Sequence, residues 1–201
     1  MTEFIAHRIN STNELNQIEI VNGVEIDLRD STQGLHLSHD PFEQGECFQD
    51  YLEHYRHGTM IINVKSERIE HEILGKISEK NIKYFFLDSS FPMIKLLSDL
   101  GEKNIAVRFS EFEGLDTIKS MAGKVRWVWV DCFNKFPLDS KTYKVIKDIG
   151  YKICIVSPEL QGHKDSIEHY ANSMIENNIV PDAICSKIHN KKVWGKYFNL
   201  V

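Results

Sequence analysis

The stretch from Val24 to Pro41 crowds acids, bases, an imidazole and a turn into a short length of chain. Val24, Ile26 and Leu28 alternate with Glu25, Asp27 and Arg29, a period of two that sends apolar side chains to one face of a strand and charged ones to the other. The two carboxylates therefore project together, roughly 7 Å apart along the strand. Pointing into a protein, they repel unless a divalent cation or a strong basic partner lies between them. The competing reading is a solvated strand face. Beyond Gly34, Leu35-His36-Leu37-Ser38-His39 alternates again as a small hairpin appended to that strand, and Asp40-Pro41 stops it.

The elements that position these residues follow from periodicity. Apolar, branched runs predict strands near Phe4, Val24, Met60, Ile82, Ile105, Val125, Tyr151 and Ala183. Between them lie helical stripes: Cys47–Arg56, Ile69/Ile73/Ile77, Met93/Leu96/Leu97/Leu100, Leu115–Met121, Val145/Ile146/Ile149 and Ile167/Tyr170/Met174/Ile175. A terminal helix over Asn190–Phe198 carries Trp194. Ser11 or Thr12 before Asn13-Glu14-Leu15 offers a first helix start, Pro92 opens another helix, and Gly101 and Gly150 close two. Eight strands, each followed by helical or loop material, fit a compact (β/α)8 TIM barrel in a single domain over 1–201. An open doubly wound sheet is the rival, although no glycine-rich phosphate loop follows the first strand.

Composition narrows the class. With 42% hydrophobic residues in 201, the chain can bury a substantial core. A net charge of −5, spread without long runs of one sign, advertises neither a nucleic-acid surface nor an anionic membrane. No apolar run approaches a membrane span, and the opening Met-Thr-Glu-Phe-Ile-Ala-His lacks the pattern of a secretory leader. Cys47, Cys132, Cys154 and Cys185 are widely separated. They read as reduced thiols of a cytoplasmic protein. Oligomeric state has no signature here.

In a barrel the active site gathers at the carboxyl ends of the strands. Those ends carry His7 and Arg8, Glu25 and Asp27 with His39 beyond the hairpin, Asn63 and Lys65, Asp88, Arg108, Trp129 and Asp131, Ser157 and Glu159, and Lys187. The mixture suits a phosphate ester: carboxylates for a hard cation, cations for phosphoryl oxygens, imidazoles for proton transfer near neutral pH. The other histidines fall in hairpin, helix or loop and receive no role.

Ala6-His7-Arg8, then Gly23-Val24-Glu25-Ile26-Asp27-Leu28-Arg29, then His39-Asp40-Pro41 resembles the signature of the glycerophosphodiester phosphodiesterases, whose barrel is related to that of phosphatidylinositol-specific phospholipase C. The resemblance implies His7 and His39 as general acid and base. It implies Glu25 and Asp27 as ligands of a divalent cation, Mg2+ or Ca2+, and Arg8 as a phosphate contact. Lys65 matches the lysine of the family's Glu-x-Lys motif, while Asn63 stands where that motif has a metal-binding glutamate. Ile9-Asn10-Ser11-Thr12-Asn13-Glu14 replaces the family's first loop. Arg108, Glu159 and Lys187 join Arg8 and Lys65 as substrate-binding candidates from their places at strand ends. The implied activity is metal-dependent hydrolysis of a small, soluble glycerophosphodiester-like substrate to an alcohol and a phosphomonoester. The alternatives are a lyase that releases a cyclic phosphate and a non-catalytic barrel that binds a phosphorylated metabolite.

Overall fold

The computed structural model describes all 201 residues. In chain order the strands are β1 (Glu3–Ala6), β2 (Gly23–Ser31), β3 (Gly34–Leu37), β4 (Glu46–Cys47), β5 (Met60–Val64), β6 (Tyr84–Leu87), β7 (Ala106–Phe109), β8 (Trp127–Val130), β9 (Lys152–Val156) and β10 (Ala183–Ser186). The helices are α1 (Thr12–Leu15), α2 (Phe48–His54), α3 (Glu70–Ile77), α4 (Phe91–Asp99), α5 (Leu115–Ser120), α6 (Ser140–Asp148), α7 (Ile167–Glu176) and α8 (Lys191–Trp194).

Eight of the strands pair in parallel in the order β6-β5-β2-β1-β10-β9-β8-β7. The sheet curls until its two end strands meet. There β6 and β7 share one isolated bridge, Phe86 to Ile105, with the Phe86 amide donating to the Asn104 carbonyl at 2.9 Å. Elsewhere neighbours share ladders, five residue pairs long between β2 and β5. The hairpin lies where expected: β3 returns antiparallel on the end of β2, Leu28 opposite Leu37. The two-residue strand β4 extends it, an addition that no periodicity announces because a strand that short has no period.

Strand alternation divides the interior into two layers. Outward-facing Phe4, Val24, Ile26, Met60, Ile62, Val128, Ile153 and Ile184 pack with helical residues such as Leu15, Leu52, Ile73, Leu97 and Met174 in the large core. Inward-facing Ile5, Ile61, Phe85, Leu87, Trp127, Trp129, Cys154 and Cys185 form a second cluster enclosed by the sheet. Phe85 stacks on Trp127 with ring centroids 4.4 Å apart. Both tryptophans of β8 face inward because they stand two residues apart. Gly23 opens β2 where a Cβ would meet the Thr59 carbonyl oxygen at 2.4 Å, so only glycine lets β2 approach β5 there.

Several elements differ from expectation at their ends: β8 starts at Trp127, not Val125, and α2 covers Phe48–His54, not Cys47–Arg56. β6 starts at Tyr84 rather than Ile82. The terminal helix is a 3-10 turn, Ile188–Asn190, followed by α8, only four residues long. It stops because the chain must turn back: the Val201 amide donates to Thr2 and the Phe4 amide to Val201, each at 3.0 Å, so the last residues pair beside β1.

Candidate active site

The carboxyl ends of the strands surround a cavity of about 560 Å³, lined among others by His7, Arg8, Glu25, Asn63, Lys65, Asp88, Arg108, Trp129 and Asp131. Its size suits a small molecule. Glu25 and Asp27 are 1% and 0% exposed, which removes the solvated strand face. They point inward with Asn63, which sits opposite Asp27 in the β2/β5 register.

Each carboxylate is held by donors from neighbouring turns. Glu25 Oε2 accepts the Arg8 amide at 2.8 Å and Oε1 the Asn63 side-chain amide at 2.9 Å. Asn10 brackets Asp27: its Nδ2 donates to Oδ2 at 2.9 Å, and its Oδ1 accepts the Asp27 amide at 2.8 Å. Lys65 Nζ stands 3.5 Å from Asp27 Oδ1 and Arg8 Nε 3.8 Å from Oδ2. Within the protein, then, basic partners lie beside the buried pair. Burial, and after it the Asp27 charge, pushes the Glu25 carboxyl up to about 7.

Arg8 adopts a left-handed backbone, φ 55°. This uncommon geometry for a non-glycine residue turns the chain sharply after β1 and aims the Arg8 amide at Glu25. Its guanidinium reaches His39 Nε2 at 2.5 Å, while His39 Nδ1 lies 2.8 Å from Asp40 Oδ1. An arginine can only donate and a carboxylate only accept. These contacts match the tautomer with its proton on Nδ1 and its Nε2 lone pair toward Arg8. His7 Nε2 lies 3.8 Å from Glu25 Oε2. Burial, then the charges of Lys187, Arg8, His39 and Lys65, bring the His7 imidazole down to about 3, so it is neutral at pH 7. Arg29 binds the His39 carbonyl through two nitrogens, at 2.9 and 3.2 Å, and the Lys65 carbonyl at 3.0 Å. That clamp ties the hairpin end to the β5 end.

The far side of the cavity is a second network. Arg108 pairs with Asp88, at 2.8 Å from its Nε, and with Asp131. Asp131 Oδ1 also takes Gln161 Nε2 at 2.9 Å and Trp129 Nε1 at 3.2 Å. Burial raises the Asp131 carboxyl to about 6 in spite of Arg108. Lys65, 3.7 Å from Asp88, joins the two networks. At the mouth Phe112 and Phe133 face each other with centroids 6.1 Å apart. Glu111 holds their loop by accepting the amides of Phe133, Asn134 and Lys135 at 3.3, 2.6 and 2.7 Å.

Of the expected site residues, His7, Arg8, Glu25, Asn63, Lys65 and Arg108 line the cavity. Asp27 lies beneath them, in contact with Arg8 and Lys65, and His39 stands at the rim on Arg8. Lys187 sits behind His7, its Nζ 3.4 Å from the His7 carbonyl. Glu159 does not reach the cavity lining; its carboxylate joins β9 to β10 by accepting the Ser157 hydroxyl, the Ser186 hydroxyl at 2.6 Å and the Lys187 amide at 3.3 Å. Sequence reasoning missed Asn10, Gln161 and the two phenylalanines. Asn10 carried a signal: it immediately precedes the Ser11 N-cap of α1, so its place is set by the helix start.

In donor chemistry Glu25, Asp27 and Asn63 suit a hard cation, although no three acidic, histidine or cysteine side chains converge as a metal cluster and Asn63 turns its Nδ2 toward Glu25. Asp27 Oδ1 and Asn63 Oδ1 are buried without a hydrogen-bond partner. With Glu25 they make an all-oxygen group on adjacent strands, the type that takes Mg2+ or Ca2+.

No protein-family model matches the sequence, and no curated protein matches it. In structure the chain is similar to a glycerophosphodiester phosphodiesterase from Parabacteroides distasonis ATCC 8503, with a TM-score of 0.63, 15% identity and 97% of each chain covered. At that identity the likeness shows a shared fold over the whole chain.

Proposed function

We propose that the protein is a metal-dependent phosphodiesterase that hydrolyses a small, soluble glycerophosphodiester-like substrate to an alcohol and a phosphomonoester, on a (β/α)8 TIM barrel closed at the β6/β7 seam. The observation that carries this reading is the meeting of two imidazoles with one arginine: His7 and Arg8 are consecutive, and Arg8 holds His39 Nε2. The named activity of the structural neighbour points the same way.

The chemistry follows from the residues. A phosphodiester anion entering the cavity takes up the guanidinium of Arg8 and the ammonium of Lys65, with Lys187 behind His7 adding positive charge. Engaging Arg8 releases His39 Nε2. His7, neutral and beside the buried Glu25, accepts the proton of the attacking hydroxyl, from water or from a neighbouring hydroxyl of the substrate. The freed Nε2 takes up a proton from solvent, and His39, held through Nδ1–H by Asp40, passes that proton to the leaving alkoxide. A divalent cation held by Glu25, Asp27 and Asn63 would offset charge on a nonbridging oxygen. The four free cysteines, three of them buried, support a reducing, cytoplasmic setting; no helix is long and apolar enough to cross a membrane.

The test is steady-state hydrolysis of glycerophosphocholine, glycerophosphoethanolamine and glycerophosphoglycerol with Mg2+, Ca2+ or EDTA, beside His7→Ala, His39→Ala and Glu25→Ala. Metal-dependent release is expected, with kcat falling about 10²–10⁴-fold in either histidine variant. A cyclic phosphate as final product would make the enzyme a lyase. Binding without turnover under any metal would leave a non-catalytic barrel.

A further inference from the structure

The end of the sheet opposite the catalytic cavity gathers unpaired cations. Lys83 and Arg126 stand immediately before β6 and β8, and Lys152 is the first residue of β9. All three line one hollow of about 240 Å³, together with Thr59, Asn104 and Trp127. No carboxylate lines it, in a chain that carries 29 acids against 24 Lys and Arg. The acids of the neighbouring segments are engaged. Glu3 accepts the Thr59 amide and hydroxyl at 2.6 and 2.8 Å, Glu102 the Tyr84 hydroxyl and the Asn104 amide at 2.6 and 2.5 Å, and Asp182 pairs with Lys147. Lys83, Arg126 and Lys152 are left without an ion pair.

Two of these cations are held in place by partners that carry no charge. The Arg126 guanidinium donates to the Asn104 side-chain oxygen at 2.8 Å, and its remaining N–H groups have no partner. Lys152 Nζ lies 5.2 Å from the centre of the Trp127 ring, a cation–π contact, and that ring is fixed by its stack on Phe85. Neutral supports orient the charges without compensating them. A hollow lined by one sign of charge concentrates the opposite ion.

Size and lining narrow the occupant. The hollow is smaller than the roughly 300 Å³ at which pockets for larger ligands begin, so it admits a compact group. A guanidinium between ammonium groups matches the oxygens of a phosphoryl group. Beside it lies a second hollow of about 420 Å³ that shares Lys83 and adds Arg56, His57 and Lys80, again with no carboxylate. Lys80 is taken by Glu53, while Arg56 meets only the Tyr55 carbonyl. The positive lining thus continues far enough for a second phosphoryl group. No exposed apolar side chain lines either hollow, so nothing there enters a bilayer.

We infer that the amino-terminal end of the sheet carries a second ligand site, for a soluble phosphate anion held by Lys83, Arg126 and Lys152, with Arg56 receiving a second phosphoryl group where the ligand has one. The site is independent of the phosphodiesterase reading, since its residues open the strands and the catalytic candidates close them.

The test is a titration of 15N-labelled protein in EDTA, at constant ionic strength, with inorganic phosphate and then pyrophosphate. The Arg126 Nε–H and the Lys152 amide report the new site, and the Trp129 indole, bonded to Asp131, reports the catalytic cavity. Saturating shifts are expected at Arg126 and Lys152, with pyrophosphate binding about tenfold more tightly than phosphate. Arg126→Gln and Lys152→Gln, at exposed positions, should each weaken pyrophosphate about tenfold, the loss of one charge-assisted contact. Arg56→Gln should weaken pyrophosphate and leave phosphate unchanged. Shifts that chloride reproduces at equal ionic strength, or an equal loss in Lys192→Gln elsewhere on the surface, would reduce the site to general charge and overturn it. A shift at Trp129 alone would overturn it too, and leave the phosphodiesterase reading standing. Cosedimentation with phosphatidate vesicles that pyrophosphate does not reverse would overturn the assignment to a soluble anion.

Discussion

His7 and Glu25 titrate in opposite senses because burial disfavours the charged form of each. The His7 imidazole, ordinarily near 6.5, lies at about 3 in the fold. Below pH 6.5 the unfolded chain binds a proton that the folded chain refuses, so this residue withdraws stability as pH falls, by up to about 1.4 kcal/mol per unit. Glu25 is raised from 4.5 to about 7; between those values the folded chain keeps a proton that the unfolded chain releases, and stability falls as pH rises. Urea unfolding in EDTA should therefore show His7→Gln losing less stability than the parent between pH 6.5 and about 4.5, and Glu25→Gln losing less between pH 4.5 and 7. Parallel pH profiles for variant and parent would exclude these shifts. At the far wall Arg108→Ala strands Asp131, which is 1% exposed, and the expected loss is about 3 kcal/mol, read from the urea midpoint. Single residues of this kind were visible in sequence as strand-end acids and bases. Their partners were not, since Arg108 meets Asp131 across 23 positions of sequence.

At the scale of elements, the turn from β1 into α1 prepares the site. Ser11 caps α1 by accepting the Glu14 amide at 3.2 Å and donating to Glu14 Oε2 at 2.9 Å, while the Asn10 amide donates to the same carboxylate at 3.0 Å. This is a variant of the capping box in which Glu14 reaches the amide of Asn10, one residue before the cap, instead of the amide of the cap itself, and its first product is the fixed position of Asn10 on Asp27. Ser11→Ala should cost about 1 kcal/mol of stability, and through Asn10 it should also weaken Mg2+ binding measured by calorimetry. Asp139→Ala, which removes the α6 cap, should cost a similar amount with no change in metal affinity. Equal metal affinity in the two variants would detach Asn10 from the site. The helix start was legible, because Ser or Thr ahead of Asn-Glu-Leu is a local signal. Its contact with Asp27 was not, because it depends on the left-handed turn at Arg8.

For the whole molecule the weak seam is the defining asymmetry. Seven of the eight junctions between neighbouring parallel strands are ladders and one is a bridge, so the molecule should open there first. Native-state hydrogen exchange should find the amide of Phe86, which bonds across the seam to Asn104, less protected than those of β2 and β5. Uniform protection around the sheet would show that α4 and α5 hold the seam as firmly as a ladder does. The alternation of apolar and charged residues by itself determined the strand and helix order, the shared face of Glu25 and Asp27, and the hairpin that carries His39, because each depends on chain geometry over a few residues. Tertiary structure alone decided that Arg8 holds His39, that Glu159 ties β9 to β10 outside the cavity, and that Asp88, Arg108 and Asp131 form one network. Those outcomes depend on which strand ends come level around a curled sheet, and that register is set by packing summed over the whole core.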